Sequence, residues 1–164
     1  MADIYELELA LDLDASTPEP VLARLRTHLT PWPEIDGDEF DGDEFGEDGF
    51  DGDGVPPHPL AEFDADDEAF EGAYDPDYRV LALRGEAYKV GGTLHAALEP
   101  TERGLRLTAR QEFHVENRPE VRALLALLAP HVVSPTGPVG GLRWYEDDEA
   151  HPLVLDAEGG IRLP

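Results

Sequence analysis

The chain has 164 residues, 41% of them apolar, which suits one domain closing one hydrophobic core. Its formal charge of −25 argues against nucleic acid as a partner, because that affinity depends on basic side chains neutralising phosphates, and the absence of cysteine excludes disulfides, thiolate metal sites and cysteine nucleophiles. Residues Met1–Glu6 form no basic, apolar leader, and no apolar run approaches the roughly 18 residues of a membrane span, so a soluble cytoplasmic protein is expected.

Residues 3 to 14 alternate, with Tyr5, Leu7, Leu9, Leu11 and Leu13 on one side and Glu6, Glu8, Asp12 and Asp14 on the other. Period-two alternation of this kind predicts a half-buried strand with one wet face. Ser16-Thr17-Pro18-Glu19 then offers a capping hydroxyl, a first-turn proline and an acid at the positive helix end. Val21, Leu22, Leu25 and Leu29 follow at helical spacing, predicting a short amphipathic helix that stops before Pro31.

Between Glu34 and Asp77 lie 19 of the 37 acidic residues and no Lys or Arg, so the other 120 residues carry 18 acids against 12 bases, an ordinary net of −6. The segment from Asp36 to Gly54 reads DGDEF DGDEF GEDGF DGDG, an imperfect five-residue repeat. Five fits neither the helical nor the strand period, and glycine with self-repelling charge cannot offset the roughly 1–2 kcal/mol per residue lost on ordering a backbone. Residues 34–77 are therefore expected to be a disordered acidic insertion within a single domain, 1–164. Asp38, Asp43 and Asp48, with Phe40, Phe45 and Phe50, would make it a polyanionic arm with aromatic studs, suited to a basic protein. A dispensable, solubilising spacer is the plainer use. A calcium loop does not fit, because an EF-hand starting at Asp36 would place Phe40 and Asp41 where a ligating oxygen and a glycine are needed.

Beyond Tyr78, residues Val80–Leu83 read as a buried strand and Tyr88–Leu98 as a second extended run broken by Gly91-Gly92. Leu105–Val115 alternates again, and the turn residues 100–104 make a hairpin of these two runs. Asn117 would cap a helix holding Val121, Leu124, Leu125 and Leu128 and ending at Pro130; strands at Leu142–Tyr145 and Leu153–Leu155 finish the chain. Residues 7–29 and 107–129 also correspond weakly, with Leu7, Val21, Ala23 and Leu25 matched identically. The resulting order predicts an α+β fold, a mainly antiparallel sheet with two helices packed on one face.

Facing the apolar sides of the hairpin sets Leu98 opposite Leu105. Lys89, Gly91, Thr93 and His95 then lie across from His114, Glu112, Arg110 and Thr108 on the outward face. Lys89, His95, Arg110, Glu112 and His114 would share one patch, with a gap at Gly91 and with Trp144 or Tyr145 as a wall. An acid/base pair of Glu112 and His114 is conceivable there, but no nucleophile or phosphate loop accompanies it. A zinc site of His95, Glu112 and His114 lacks a recognised spacing and would meet repulsion from Arg110 and Lys89, so neither metal nor cofactor is expected. The plain alternative is a wet sheet face whose charges pair across strands.

The segments Ala87-Tyr88-Lys89-Val90-Gly91-Gly92, Leu107–His114 and Leu142–Asp147 resemble parts of small uncharacterised proteins of high-GC bacteria, over residues 78–155 at most. The bias towards Ala, Gly, Pro, Asp and Arg, with Lys89 the only lysine, suits such a bacterial source. The resemblance brings no activity with it, but it marks Lys89, Arg110, Glu112, His114, Trp144 and Tyr145 as positions to test. The expected function is an acidic accessory, inhibitor or immunity-like factor acting on a basic protein partner, without turnover of its own. The alternative is a small-molecule-binding protein or enzyme using the outward patch around Glu112 and His114.

Overall fold

The computed structural model describes residues 3–32, 75, 77–133 and 137–164. Apart from Asp75 and Asp77, the acidic insertion and its expected disorder lie outside the described residues.

The fold is α+β. Strands β1 (Ile4–Asp14), β2 (Gly85–Glu86), β3 (Thr93–Thr101), β4 (Gly104–His114), β5 (Gly140–Trp144) and β6 (His151–Leu153) form one sheet in the order β2-β3-β4-β1-β5-β6, antiparallel throughout. Helices α1 (Glu19–Leu29) and α2 (Arg118–Leu128) pack on one face. The alternation in β1 produces this directly, because Leu7, Leu9, Leu11 and Leu13 are all buried beneath Leu25 of α1 and Val121, Leu124, Leu125 and Leu128 of α2. Each such leucine contributes about 1.5–3 kcal/mol by leaving water.

The central ladder pairs Leu7 with Gln111, Leu9 with Ala109 and Leu11 with Leu107. Positions a hundred residues apart are thus related by a local twofold axis midway between Leu9 and Ala109, and each strand is followed by an 11-residue helix. The weak correspondence in the sequence has a geometric counterpart in this strand pair.

Local details differ from expectation, beginning with the helix ends and the run at Val80–Leu83. Thr17 does not cap α1; its hydroxyl turns back to donate to the Asp14 carbonyl at 2.6 Å, and Pro18 occupies the cap position. Asn117 precedes α2 without a side-chain capping bond, because a 3-10 turn over Val115–Asn117 already leads into the helix. Val80–Leu83 is not a strand. Its backbone follows the C-terminal end of α1 instead, with Leu81 N–H donating to the His28 carbonyl at 3.1 Å and Val80 N–H to His28 Nδ1 at 3.3 Å. The apolar run buries Val80, Leu81 and Ala82 against the helix without forming a ladder, and apolarity alone does not separate these outcomes.

The hairpin forms, but its register is two residues from the expected one. Leu98 faces Leu107, Ala96 faces Ala109 and His95 faces Arg110. Both strands run on to a tight turn at Glu102-Arg103, with Thr101 opposite Gly104, so Pro100 belongs to the ladder and not to the loop. A slip of two leaves every side chain on its expected face, whereas a slip of one would have exchanged the faces.

Candidate functional site

The face of the sheet away from the helices carries a charged cluster built on three adjacent strands. β4 presents Arg106, Arg110, Glu112 and His114; β1 presents Glu6, Glu8 and Asp12; β5 presents Arg143. Cross-strand pairs join Arg106 to Asp12 at 2.7 Å and Arg110 to Glu8 at 3.5 Å. Glu6 sits at the centre, 4% exposed, held by Arg110 on one side and by Arg143 at 3.3 Å on the other. Alternation had placed Glu6 on the wet side, and it does point that way, but two guanidinium groups and a loop enclose it.

That loop is residues 87–92. The ladder sets Glu112 directly opposite Glu6, a like-charge pair that would destabilise the sheet if left alone. Glu112 is compensated by two backbone donors, Tyr88 N–H at 3.0 Å and Lys89 N–H at 3.1 Å. Arg143 donates to the Val90 carbonyl at 3.0 Å, and Ala87 N–H closes the loop on the Gly92 carbonyl at 2.9 Å. The loop is therefore a lid pinned to the charged cluster through Tyr88, Lys89 and Val90 and closed on itself by the Ala87–Gly92 bond.

The expected patch is only partly assembled. Arg110 and Glu112 share the cluster, and His95 faces Arg110 from β3, exposed. Lys89 does not lie across from His114, because 87–92 is a lid and not an extension of β3; His114 faces Ile4 instead. His114 Nδ1 accepts from Glu116 N–H at 3.4 Å and Glu112 accepts from Tyr88 and Lys89 N–H, so the hydrogen bonds of these two side chains among the described residues go elsewhere than to each other. The space expected beside Gly91 is taken by the lid backbone that bonds Glu112. Lys89 Nζ lies 5.9 Å over the Tyr145 ring, so Tyr145 does wall this region. Trp144 does not, since it pairs with Tyr5 and belongs to the opposite, helix-bearing face. Among the described residues, no group of three or more His, Cys, Asp or Glu side chains converges as a metal site.

Trp144 lines a second feature, a cleft of about 240 Å³ bounded by Tyr5, Arg118, Leu142, Asp147, His151 and Pro164. Arg118 lies 5.4 Å over the Tyr5 ring and donates through Nη2 to the Pro164 carbonyl at 2.6 Å. Sequence reasoning missed Glu6, Arg143, Tyr5 and Arg118. Nothing local marks them: each acquires its role from a partner distant in the chain.

Gly92 tests whether lid and cluster act together. Its φ of +86° suits glycine, and a Cβ there would fall on the Arg110 guanidinium. Gly92→Ala is expected to destabilise the fold by about 1–3 kcal/mol in urea and to remove hydrogen-exchange protection at Tyr88 and Lys89. An unchanged midpoint with protection intact would show that the lid does not depend on Arg110.

No protein-family model matches the chain, and comparison with curated proteins and with solved structures finds no similar protein.

Proposed function

We propose that the protein is an acidic accessory or inhibitory factor, immunity-like in its mode of action, which binds a basic protein partner through residues 34–77. The observation that carries this reading is charge segregation: 19 acids and no Lys or Arg in that segment, against a net of −6 elsewhere. The described body supports it in two ways. Arg26, Arg106, Arg110, Arg143 and Arg162 each already lie against carboxylates of the body, which favours an external basic surface over an internal one for the segment. Both flanks of the segment are also tied together. Arg79 donates to the Thr30 and Pro31 carbonyls at 3.0 and 2.7 Å and stacks over Trp32.

The full chain used as bait in its native lysate is expected to retain a basic protein at low salt and release it at high salt. A chain lacking residues 36–54 should lose that protein. Retention that survives both high salt and the deletion would overturn the proposal, as would the absence of any salt-sensitive partner.

A further inference from the structure

Residues 78–84 lie along the C-terminal end of α1 as a strap, and one residue of the helix, His28, holds them through both its backbone and its ring. The His28 carbonyl accepts the Leu81 N–H at 3.1 Å, and ring Nδ1 accepts the Val80 N–H at 3.3 Å. Val80, Leu81 and the ring are all buried. The other ties to this end of the helix are exposed bonds, from Arg79 to the Thr30 and Pro31 carbonyls and from Arg84 to the Leu29 carbonyl at 2.9 Å. To accept from Val80, Nδ1 must keep its lone pair, so the buried ring is neutral with its proton on Nε2.

We propose that the strap is an acid-sensitive latch, released from α1 when the His28 ring takes up a second proton. Protonated, Nδ1 turns from acceptor to donor and confronts the Val80 N–H, which is left buried without a partner. The new charge also sits near Arg24, one turn earlier on α1, whose own charge adds to burial in opposing it. Two acids line the same cavity of about 140 Å³ as Arg24 and His28, namely Glu120 on α2 and Asp75 ahead of the strap. Glu120 already accepts the Asp75 N–H at 2.6 Å, and Tyr78 in the strap is kept neutral by burial and then by the Glu120 charge. An opened strap exposes the ring to water, where it protonates below about 6.5, while the closed strap refuses the proton down to about 4. Opening therefore becomes easier as pH falls between those values, by about a hundredfold in all, and changes little further below them. The strap is the chain's return from residues 34–77 to the sheet, so its release loosens one flank of that segment, whether or not the segment binds a partner.

Amide hydrogen exchange of the ¹⁵N-labelled full chain, corrected for the intrinsic effect of pH and repeated at low urea concentrations, tests the latch. Val80 and Leu81 are expected to lose about a hundredfold in protection between pH 6.5 and 4, with little response to urea, because a local opening exposes little surface. Leu107 and Ala109, in the central ladder, should stay better protected throughout and respond fully to urea. His28→Gln keeps an acceptor for Val80 and takes no charge, so the loss at Val80 and Leu81 should be absent from it. Glu120→Gln should show the same loss as the wild type. If circular dichroism finds His28→Gln unfolded, NMR titration of the wild type takes its place, and the Val80 amide signal should follow the His28 ring through a midpoint at about 4. Val80 and Leu81 exchanging in step with Leu107 at every pH and urea concentration would overturn the proposal, since the strap would then open only with the whole fold. So would a loss that persists in a folded His28→Gln, one that disappears in Glu120→Gln and so makes Glu120 the sensor, or a Val80 signal that ignores the titration of the ring.

Discussion

Arg110→Ala is expected to lower folding stability by about 2–3 kcal/mol at neutral pH, a large effect for a residue outside the hydrophobic core. The reason lies in Glu6, whose side chain is 5% exposed and whose carboxylate is held between Arg110 and Arg143. Removing one guanidinium leaves a buried carboxylate with a single partner at 3.3 Å and with Glu112 directly opposite it on β4. Breaking a buried pair from one side typically costs about 3–5 kcal/mol, and the remaining Arg143 reduces that here. Urea unfolding measures the loss. Glu6→Gln placed on Arg110→Ala should recover part of it, since the buried charge is then gone. Arg106→Ala provides the contrast: its partner Asp12 sits in the open, so the change in stability should be small. Equal, small effects for the two arginines would mean that the Glu6 cluster is no more than a solvated ion pair.

Stability is also expected to fall as pH drops from about 6.5 to about 4, by roughly 3 kcal/mol in total, because of His28. His28 is 6% exposed, its Nδ1 accepts the Val80 N–H, and burial, assisted by the charge of Arg24, holds its pKa down at about 4 from an ordinary value of 6.5. Above pH 6.5 neither the folded nor the unfolded chain protonates this ring, and stability is complete. Between 6.5 and 4 the unfolded chain binds a proton that the folded chain refuses, so stability declines with falling pH. Below about 4 both states bind it and the contribution of His28 levels off. The lowered carboxyl groups act in the same direction at lower pH. Asp12, held down chiefly by its bond from Arg106, Asp14 by Ser16 and Asp156 by the Gly160 N–H add stability above pH 3.8 that disappears as they protonate. His28→Gln keeps an acceptor for Val80 and removes the titration, so its urea midpoint should stay nearly level between pH 6.5 and 4. A wild-type slope unchanged in that variant would show that His28 is not responsible.

Much of the fold was legible because its signals are local. The leucines of β1, the spacing of Val121, Leu124, Leu125 and Leu128, and the alternation of β4 each report a single element, and each element formed. Val80–Leu83 failed because four apolar residues carry no period; only the end of α1 and the Val80 bond to His28 decide their shape. The candidate site was legible by face but not by partner. Arg110, Glu112 and His95 share the expected side of the sheet. Glu112, however, bonds the backbone of Tyr88 and Lys89, contacts that no pattern of side chains announces.

By itself, the sequence determined which faces of β1, β4 and the two helices turn to the core and where the negative charge is concentrated, because burial alternates with period two or 3.6 and charge is additive along a chain. The tertiary structure alone decided the folding of 87–92 into a lid, the enclosure of Glu6 and the placing of Arg118 over the Tyr5 ring. Those features depend on groups that are far apart in the chain, as residues 6, 110 and 143 are, and that meet only when the sheet closes. Register parity survives a slip of two, so local hydrophobicity could not choose between Leu105 and Leu107 as the partner of Leu98; the tight turn at Glu102-Arg103 made that choice.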